Sequence, residues 1–359
     1  MLNNYSETYA QARRRFLEAA EKNGAKIFNL TIPQLGPEQE VLSTDIAWLG
    51  AEKPKRLLLH SSGIHGPEGF AGSMIQQACL ARLPKIPSDG ALVFVHTLNP
   101  YGMAWLRRTN ENNVDLNRNY LNSHEAWSGV SDTYRELETQ INPATPPRMD
   151  AFYFHVLRNI LQRGFHPLKA ALATGQYEYP KGLFFGGKRH EAGTANYIQW
   201  LKNHVPEDSV ERILAIDVHS GIGKFAKQSL FGQIQGGNSA LKIMEKELGL
   251  PIHDNEHQIT AAYPVRGGYH TFLPRLFPKI RVDFLTEEFG TYFAVRMLHA
   301  LREENRLHHF GEARHLKHPV KQRIKKLFYP PSEPWRREVL RQGVDLFERA
   351  AQVLFRECV

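Results

Sequence analysis

Short apolar runs alternate along this chain with longer segments in which apolar residues recur at helical spacing. The apolar runs are typical of core strands and lie at 26–32, 56–61, 91–97, 212–218 and 280–286. The periodic segments predict helices over 68–82, 150–163, 191–204, 238–248, 291–306 and 333–356. Alternation of strands and helices predicts an α/β protein with a mixed, mostly parallel twisted sheet and helices on both faces.

Polar side chains that can carry chemistry follow four of these strands at the same end. His65, Asn99, His219 and Glu288 each stand at or just beyond the carboxyl end of a different predicted strand. Ligands of open α/β sheets bind in the crevice outside the carboxyl ends of the strands. We therefore expect these four residues to meet in one site at that edge of the sheet.

No Pro-, Gly- or Ser-rich linker divides the chain into separate domains. We predict one catalytic domain over residues 1–310, with its core at about 55–300. Residues 311–359 are predicted to form a basic and helical extension that packs on the same domain. The polar segment 107–149 is interpreted as a surface excursion that ends at Pro143, Pro146 and Pro147.

The net charge of +8 makes nucleic acid or an acidic substrate a conceivable partner. Much of the excess lies in one late segment, which contains Arg314, Lys317, Lys321, Arg323, Lys325 and Lys326. A solvated basic connection explains this segment more simply, because no zinc-finger spacing, RNA-recognition signature or phosphate-binding loop accompanies it. Nucleic acid is therefore not the expected partner.

The cysteines, the apolar runs and the N-terminal segment indicate the cellular location of the protein. Only Cys79 and Cys358 are present, which excludes a disulfide framework and a cysteine metal cluster. No apolar run reaches the roughly eighteen residues that a membrane-spanning helix needs. Residues 1–24 resemble an amphipathic helix rather than a secretory signal. We predict a cytoplasmic protein without a membrane partner, in which Cys79 is buried.

A first candidate site lies in the segment GIHGPEG at 63–69, where His65 and Glu68 stand three residues apart in a strand-to-helix turn. One imidazole, one carboxylate and a second histidine are a suitable ligand set for zinc, with a fourth position open for water. His219, in IDVHSG at 216–221, could supply that second imidazole. The His-x-x-Glu spacing alone is better explained by surface-turn residues, and His219 alone could be a rim or core histidine, so the hypothesis rests on their combination.

Two further segments contain candidate catalytic groups. Residues 107–119, RRTNENNVDLNRN, bring arginines and asparagines together after a core strand, where a guanidinium could bind a carboxylate or an oxyanion. Asp115 could accept a hydrogen bond from the non-ligating nitrogen of a metal-bound histidine. Glu288 lies on an otherwise apolar strand, where a carboxylate is unfavourable unless it is paired or catalytic. A solvated loop and a rim ion pair are the alternatives.

These motifs resemble, in their order along the chain, those of the zinc carboxypeptidase superfamily. The matching elements are Gly-x-His-x-x-Glu, Asn-Pro-x-Gly, Asp-Leu-Asn-Arg-Asn, Asp-x-His-Ser and a late Glu, and they cover about residues 55–300. The superfamily contains carboxypeptidase A-like enzymes as well as succinylglutamate desuccinylase and aspartoacylase. The stretch 175–187 has no counterpart in the digestive enzymes, so the chain resembles an uncharacterised branch. In that branch this stretch would be a structural hairpin or a wall of the active site.

The resemblance implies a role for each candidate residue. His65, Glu68 and His219 would bind Zn²⁺, with Asp115 as the hydrogen-bond partner of His65. Arg108 would polarise the scissile carbonyl.

Glu288 would be the general base, favoured over Glu287 by its Glu-x-Gly context. Asn117 and Arg118 would bind a substrate carboxylate. Tyr263 matches more loosely a mobile tyrosine that contacts substrate, and it is equally consistent with a packing aromatic.

The predicted activity is therefore zinc-dependent hydrolysis of an amide bond next to a free carboxylate, as in a metallocarboxypeptidase. An amino-acid N-deacylase of the succinylglutamate desuccinylase or aspartoacylase type is the alternative, and its substrate would be an N-acyl amino acid. A non-catalytic module that binds carboxylates or nucleic acid is a third hypothesis. Intact ligands together with Glu288 favour an enzyme over that module.

Overall fold

A computed structural model describes residues 5–254, 265–312 and 315–356 of the chain. In these residues the predicted strands pair into one eight-stranded sheet. The strands are β1 (Lys26–Leu35), β2 (Val41–Gly50), β3 (Arg56–Ser62), β4 (Gly90–His96), β5 (Arg212–Gly221), β6 (Gln228–Gln233), β7 (Ile252–Asp254) and β8 (Arg281–Gly290).

The strand order is β1-β2-β4-β3-β5-β8-β6-β7. The pairings of β3 with β4, β3 with β5, β5 with β8, and β6 with β7 are parallel. The pairing of β6 with β8 is antiparallel. The pairings of β1 with β2 and of β2 with β4 are antiparallel. The predicted mixed, mostly parallel sheet is confirmed. Strand β5 is buried along almost its whole length, which explains its continuous apolar run.

Helices cover both faces of this sheet, as predicted. The described helices are α1 (Tyr9–Lys22), α2 (Gly69–Leu80), α3 (Pro100–Ala104), α4 (Asp132–Ile141), α5 (Phe152–Arg163), α6 (Phe165–Ala173), α7 (Ala192–His204), α8 (Gly237–Leu248), α9 (Tyr269–Leu276), α10 (Ala294–Phe310), α11 (Pro319–Phe328) and α12 (Glu333–Phe355). Helices α1, α2, α8 and α12 bury their apolar faces against one side of the sheet. Helices α7 and α9 cover the other side.

A third apolar cluster forms beside the sheet without any strand residue among its described members. Helices α4, α6, α10 and α11 supply all of its buried side chains except Leu183, and Ile160 of α5 packs against them. We call this group the helical cluster; its buried members are Leu137, Ile141, Leu168, Leu183, Met297, Ala300, Leu301, Ile324, Leu327 and Phe328. The helical cluster borders the candidate active site.

The interpretation of 107–149 as a surface excursion is wrong. Its first part is buried beside the sheet, including Arg107, Asn113, Asp115 and Asn119, and its middle part contains α4. The polar side chains can be buried because they bind one another and nearby carbonyls, as in the hydrogen bond of 2.8 Å from Arg107 to Asn113. Hydrophobic periodicity cannot detect a segment that is buried through hydrogen bonds.

The C-terminal segment packs against the rest of the molecule. Trp335 of α12 is fully buried and donates a hydrogen bond of 2.9 Å to the carbonyl of Gly290, at the end of β8. Two of the basic residues are paired within the chain, Lys321 with Glu304 at 2.6 Å and Lys325 with Glu7 at 2.5 Å. The division of the chain at residue 310 stays a prediction.

Two smaller expectations concern single residues and membrane spans. Cys79 is a buried free thiol, as predicted. Across the described ranges, no helix combines the length and the apolar character needed to cross a membrane.

Candidate active site

Two close backbone approaches shape the turn that carries His65 and Glu68. Gly63 adopts φ +69°, and a side chain there would collide with the hydroxyl of Thr97. A side chain on Gly66 would collide with the backbone of Gly102 in α3. Glycine at both positions therefore lets β3 turn sharply into α2 and places His65 and Glu68 at the carboxyl edge of the sheet.

His65, Glu68 and His219 are brought together by this arrangement, and all three are buried. One potential ligand atom of each residue lies within 4.8 Å of the others. The Nδ1 atoms of His65 and His219 stand 3.0 Å and 3.1 Å from the two carboxylate oxygens of Glu68. Two imidazole nitrogens and one carboxylate therefore converge on a single point.

The outward-facing nitrogen of each histidine meets a different carboxylate. Nε2 of His65 lies 3.2 Å from Asp115, and Nε2 of His219 lies 2.8 Å from Asp217. Such partners fix the tautomer and the ring orientation of a ligating histidine. Asp217 was not among the predicted site residues. Its signal was the Asp-x-His spacing on β5, because side chains two positions apart on a strand point to the same face.

Charge within the cluster keeps its carboxylates ionised. Burial by itself would raise the pKa of Glu68, but His65 and His219 outweigh it and hold that pKa well below its ordinary value. Burial would likewise raise the pKa of Asp115, whereas Arg108 and His65 lower it well below the ordinary value. Ionised carboxylates are the form that binds a cation.

Arg108 lies directly beside the ligand cluster. Its Nε donates to Asp115 over 3.0 Å, and its Nη2 lies 2.7 Å from Nε2 of His65. The guanidinium also lies over the ring of Phe184, with 5.5 Å between its central carbon and the ring centroid. Arg108 is thus held by the hydrogen-bonded cluster on one side and by an aromatic ring on the other.

Glu288 and Glu287 point to opposite faces of β8. His219 of β5 and Glu288 are register partners on adjacent parallel strands, so their side chains share one face. Glu288 accepts a hydrogen bond of 2.9 Å from the backbone of Ile222 and borders the same cavity as the candidate ligands. Burial, and then the negative charge of Glu68, raise the pKa of Glu288 to about 7. A group that titrates near neutral pH is suited to accept a proton.

Glu287 lies on the other face and is fully buried. It accepts a hydrogen bond of 2.5 Å from Gln228, and its second carboxylate oxygen has no partner among the described residues. Burial raises the pKa of Glu287 to about 8. Glu287 does not border the cavity.

Asn117 and Arg118 lie on a short turn in the wall of the cavity. The side-chain oxygen of Asn117 accepts from the backbone of Tyr269 at 3.0 Å. The Arg118 guanidinium donates to the carbonyls of Asn117 and Ala173, and its buried Nε has no partner in the described structure. Arg118 therefore holds the turn in place while it borders the cavity. Tyr263 lies outside the described residues.

The stretch 175–187 contributes to the cavity wall through Phe184. The isolated bridge between Gln176 and Phe185 is parallel, so this pairing is not that of a hairpin, whose strands are antiparallel. The backbone of Phe184 is in the left-handed region, with φ +59°. This conformation is costly for a bulky residue and is found mainly where the surroundings enforce it, as at binding sites. Here the ring of Phe184 lies under Arg108.

The donor set fits a metal ion of the zinc type. Two imidazole nitrogens and one carboxylate are typical of catalytic zinc, and both histidines have the outer hydrogen-bond partners that such sites use. The donors are buried, yet they border a cavity of about 750 Å³ that gives access to a substrate. His270, which the sequence analysis missed, also borders this cavity, and burial lowers its pKa to about 4.

Comparison with known proteins identifies one family and several solved structures of similar fold. The model of a family described as "Protein of unknown function (DUF2817)" matches residues 5–342. No curated protein matches the sequence. Bovine thrombin-activatable fibrinolysis inhibitor, solved in complex with tick carboxypeptidase inhibitor, is similar at a TM-score of 0.52 and 11% identity, over 98% of this chain and 98% of that chain.

Carboxypeptidase A from Helicoverpa armigera is similar at a TM-score of 0.51 and 12% identity, over 98% of this chain and 75% of that chain. These likenesses show that the chain has the carboxypeptidase fold, which is the fold that the resemblance of the motifs implied.

Proposed function

The chain belongs to the DUF2817 family, and we propose that this member is a zinc-dependent hydrolase that cleaves an amide bond next to a free carboxylate. The observation that carries the proposal is the convergence of His65, Glu68 and His219 on one point, with Glu288 on the same face of the sheet. Sheet register fixes this arrangement, because His219 and Glu288 are partners on β5 and β8.

In the proposed reaction, bound zinc supplies Lewis-acid chemistry that activates water and polarises the scissile carbonyl. Glu288 takes a proton from the attacking water and delivers it to the nitrogen of the leaving amine. The backbone amide of Ile222 holds one Glu288 oxygen and leaves the other available for proton transfer. Arg108 stabilises the negative charge that develops on the carbonyl oxygen, a contribution typically worth about 10²–10³ in rate.

Recognition of a substrate carboxylate is assigned to Asn117, Arg118 and Tyr263. Arg118 borders the cavity and retains an Nε hydrogen without a partner among the described residues, which supports a role in binding an anion. The substrate would then be a peptide C-terminus or an N-acyl amino acid. The cytoplasmic location stays a prediction from the N-terminal segment and the cysteine content of the sequence.

Amino-acid N-deacylation is the second candidate, and one observation favours it. The cavity extends away from the ligands into an apolar region formed by the helical cluster. A peptide chain, with its polar backbone, is less suited to such a region than an acyl group. The non-catalytic hypothesis would require a protein without bound metal and without hydrolytic activity.

Metal analysis combined with a substrate panel tests the proposal. We expect about one zinc ion per purified chain, and tight binding should be abolished in His65→Ala and in His219→Ala because only two ligands remain. His253→Ala, at an exposed histidine on β7, is the matched control and should keep its zinc. Peptides with free C-termini and N-acyl amino acids should be compared for hydrolysis. Unchanged zinc in both ligand variants would remove the assignment of the metal site.

A further inference from the structure

One cavity of about 750 Å³ extends from the candidate ligands into the space between α4, α5, α6 and α10. At the ligand end it is bordered by His65, Glu68, His219 and Glu288. At the helical end its wall is made mainly of apolar side chains, among them Leu137, Ile160, Leu168, Leu172, Leu298 and Leu301. We call this helical end the chamber.

The chamber is more than an irregularity of the core. Protein interiors are normally packed with few voids larger than a water molecule. Here six buried members of the helical cluster border open space: Leu137, Ile141, Leu168, Met297, Leu301 and Phe328. Gln140 and Asn159, two polar residues in the wall, bind each other at 3.0 Å. His155 and Lys169 also border the cavity on this side, and Nδ1 of His155 is buried without a partner among the described residues. Apolar side chains outnumber these polar groups in the wall.

Two contacts connect the chamber with the reacting groups. Phe184 packs against the helical cluster and lies under the guanidinium of Arg108. On the other side, a Cβ atom built on Gly221 would lie 2.7 Å from Met297 of the cluster and 3.6 Å from the Glu288 carboxylate. The chamber therefore opens between the group assigned to the carbonyl oxygen and the group assigned to the water.

This position suits the acyl half of an amide. The substrate carbonyl must lie between Arg108 and Glu288, so the atoms attached to its carbon side can enter the chamber. The leaving amine, with its carboxylate, is then directed towards Asn117 and Arg118. An apolar chamber of this kind gains most by burying a long hydrocarbon chain.

We propose that the chamber binds a long, unbranched acyl chain and that the substrates are long-chain N-acyl amino acids. This inference rests on the proposed function. Hydrolysis breaks the amide C–N bond and joins the water oxygen to the acyl carbon. One proton of the water passes through Glu288 to the nitrogen, and the products are a fatty acid and a free amino acid.

A chain-length series tests the proposal. Acetyl-, hexanoyl- and lauroylglycine present the same amide and carboxylate to the wild-type enzyme loaded with zinc. We expect kcat/KM to rise by up to about fourfold for each added methylene group until the chamber is filled. Equal kcat/KM values for the three substrates would overturn the assignment of the chamber while leaving the proposed hydrolysis intact.

Matched substitutions on α5 locate the effect. Ile160 is partly buried in the chamber wall, whereas its neighbour Leu161 is 78% exposed on the outer side of the helix. Ile160→Trp should reduce the ratio of lauroyl to acetyl hydrolysis at least tenfold, and Leu161→Trp should not change that ratio. Leu298→Trp, on α10, provides a second obstruction should Ile160→Trp fail to fold. Equal ratios in the obstructed and control variants would contradict the proposal.

A binding experiment separates this inference from the proposed activity. Calorimetric titration of the zinc-loaded Glu288→Gln variant with lauroylglycine and with acetylglycine measures binding with little turnover. Tighter binding of the lauroyl compound, weakened by Ile160→Trp, would support the chamber even if no amide is hydrolysed. Hydrolysis of short substrates without any preference for the lauroyl compound in binding would support the activity and overturn the chamber.

Discussion

At the ligand end of the cavity, each imidazole nitrogen of His65 and His219 lies within hydrogen-bond distance of a carboxylate oxygen. At the other end, helices with mainly apolar side chains surround open space. The ligand end is built on strand ends whose relative positions are fixed by sheet hydrogen bonds. The chamber depends on side-chain packing of α4, α5 and α6, which follow one another along the chain, against α10, which is remote in sequence. Hydrogen bonds fix one arrangement of the side chains, whereas apolar packing accommodates several. We therefore expect the ligand end to carry out the chemistry and the chamber to determine substrate preference.

Glu288 lies where the two ends meet, and its substitution should have the largest effect on turnover. Glu288→Gln should keep zinc but lose about 10²–10⁴ in kcat, because an amide cannot accept the proton. Glu287→Gln is the matched control on the opposite face of β8 and should keep appreciable activity. Steady-state kinetics with metal analysis measures both. An inactive Glu287→Gln beside an active Glu288→Gln would place the base one residue earlier.

Loss of the hydrogen bond between His219 and Asp217 should affect metal binding at the ligand end and not the chamber. Asp217→Asn removes the negative partner of His219 and should lower zinc affinity by about 10- to 100-fold, without altering the preference for long acyl chains. Competition with a zinc chelator measures the affinity. Asp283→Asn is a suitable control, since Asp283 is equally buried but pairs with Arg212 and Arg281. The same loss of affinity in both variants would indicate general destabilisation.

Substitution of Arg118 tests whether the cavity wall around Asn117 and Arg118 binds the carboxylate of the substrate. Arg118→Lys should lower kcat/KM about tenfold for substrates with a free carboxylate, because an ammonium group cannot reproduce a two-pronged contact. The loss should largely disappear for amidated substrates. Arg266→Lys is the control, since Arg266 also donates to backbone carbonyls, those of Ser128 and Ala126. Equal losses of Arg118→Lys on free and blocked substrates would make Arg118 a structural residue.

The smallest effect on activity is expected at Glu287, where stability should change instead. Burial raises its pKa from 4.5 to about 8, so the folded protein favours the protonated form. Its contribution to stability is complete below pH 4.5 and is lost as the pH rises towards 8. Glu287→Gln stays neutral and should be more stable than the wild type at pH 8, by on the order of 1–3 kcal/mol.

Urea unfolding at pH 8 and at pH 4 measures this difference. The advantage of Glu287→Gln should shrink towards zero at the lower pH, where the wild-type side chain is protonated in both states. An advantage that does not depend on pH would show that ionisation of Glu287 is not its cause.

Hydrophobic periodicity determined much of the fold, because it reflects short-range geometry. The five predicted strands were found, with bounds that differ by a few residues. Strands β2, β6 and β7 were missed. Strand β2 is buried on both faces, contains Ser43, Thr44 and Asp45, and lacks alternation, whereas β6 and β7 have only six and three residues. Helices α3, α4, α6, α9 and α11 were missed because they are short and their apolar faces are incomplete without neighbouring helices.

For the site, the sequence by itself determined the motifs at the carboxyl ends of the strands. The ligand spacing in 63–69 and the position of His219 could be read directly, since a strand end and a sharp turn are local features. Only the tertiary structure decided that Asp217 faces His219, that Glu288 faces the cavity, and that four helices leave an apolar chamber beside them. These features depend on sheet register and on packing between distant segments, which no local pattern specifies.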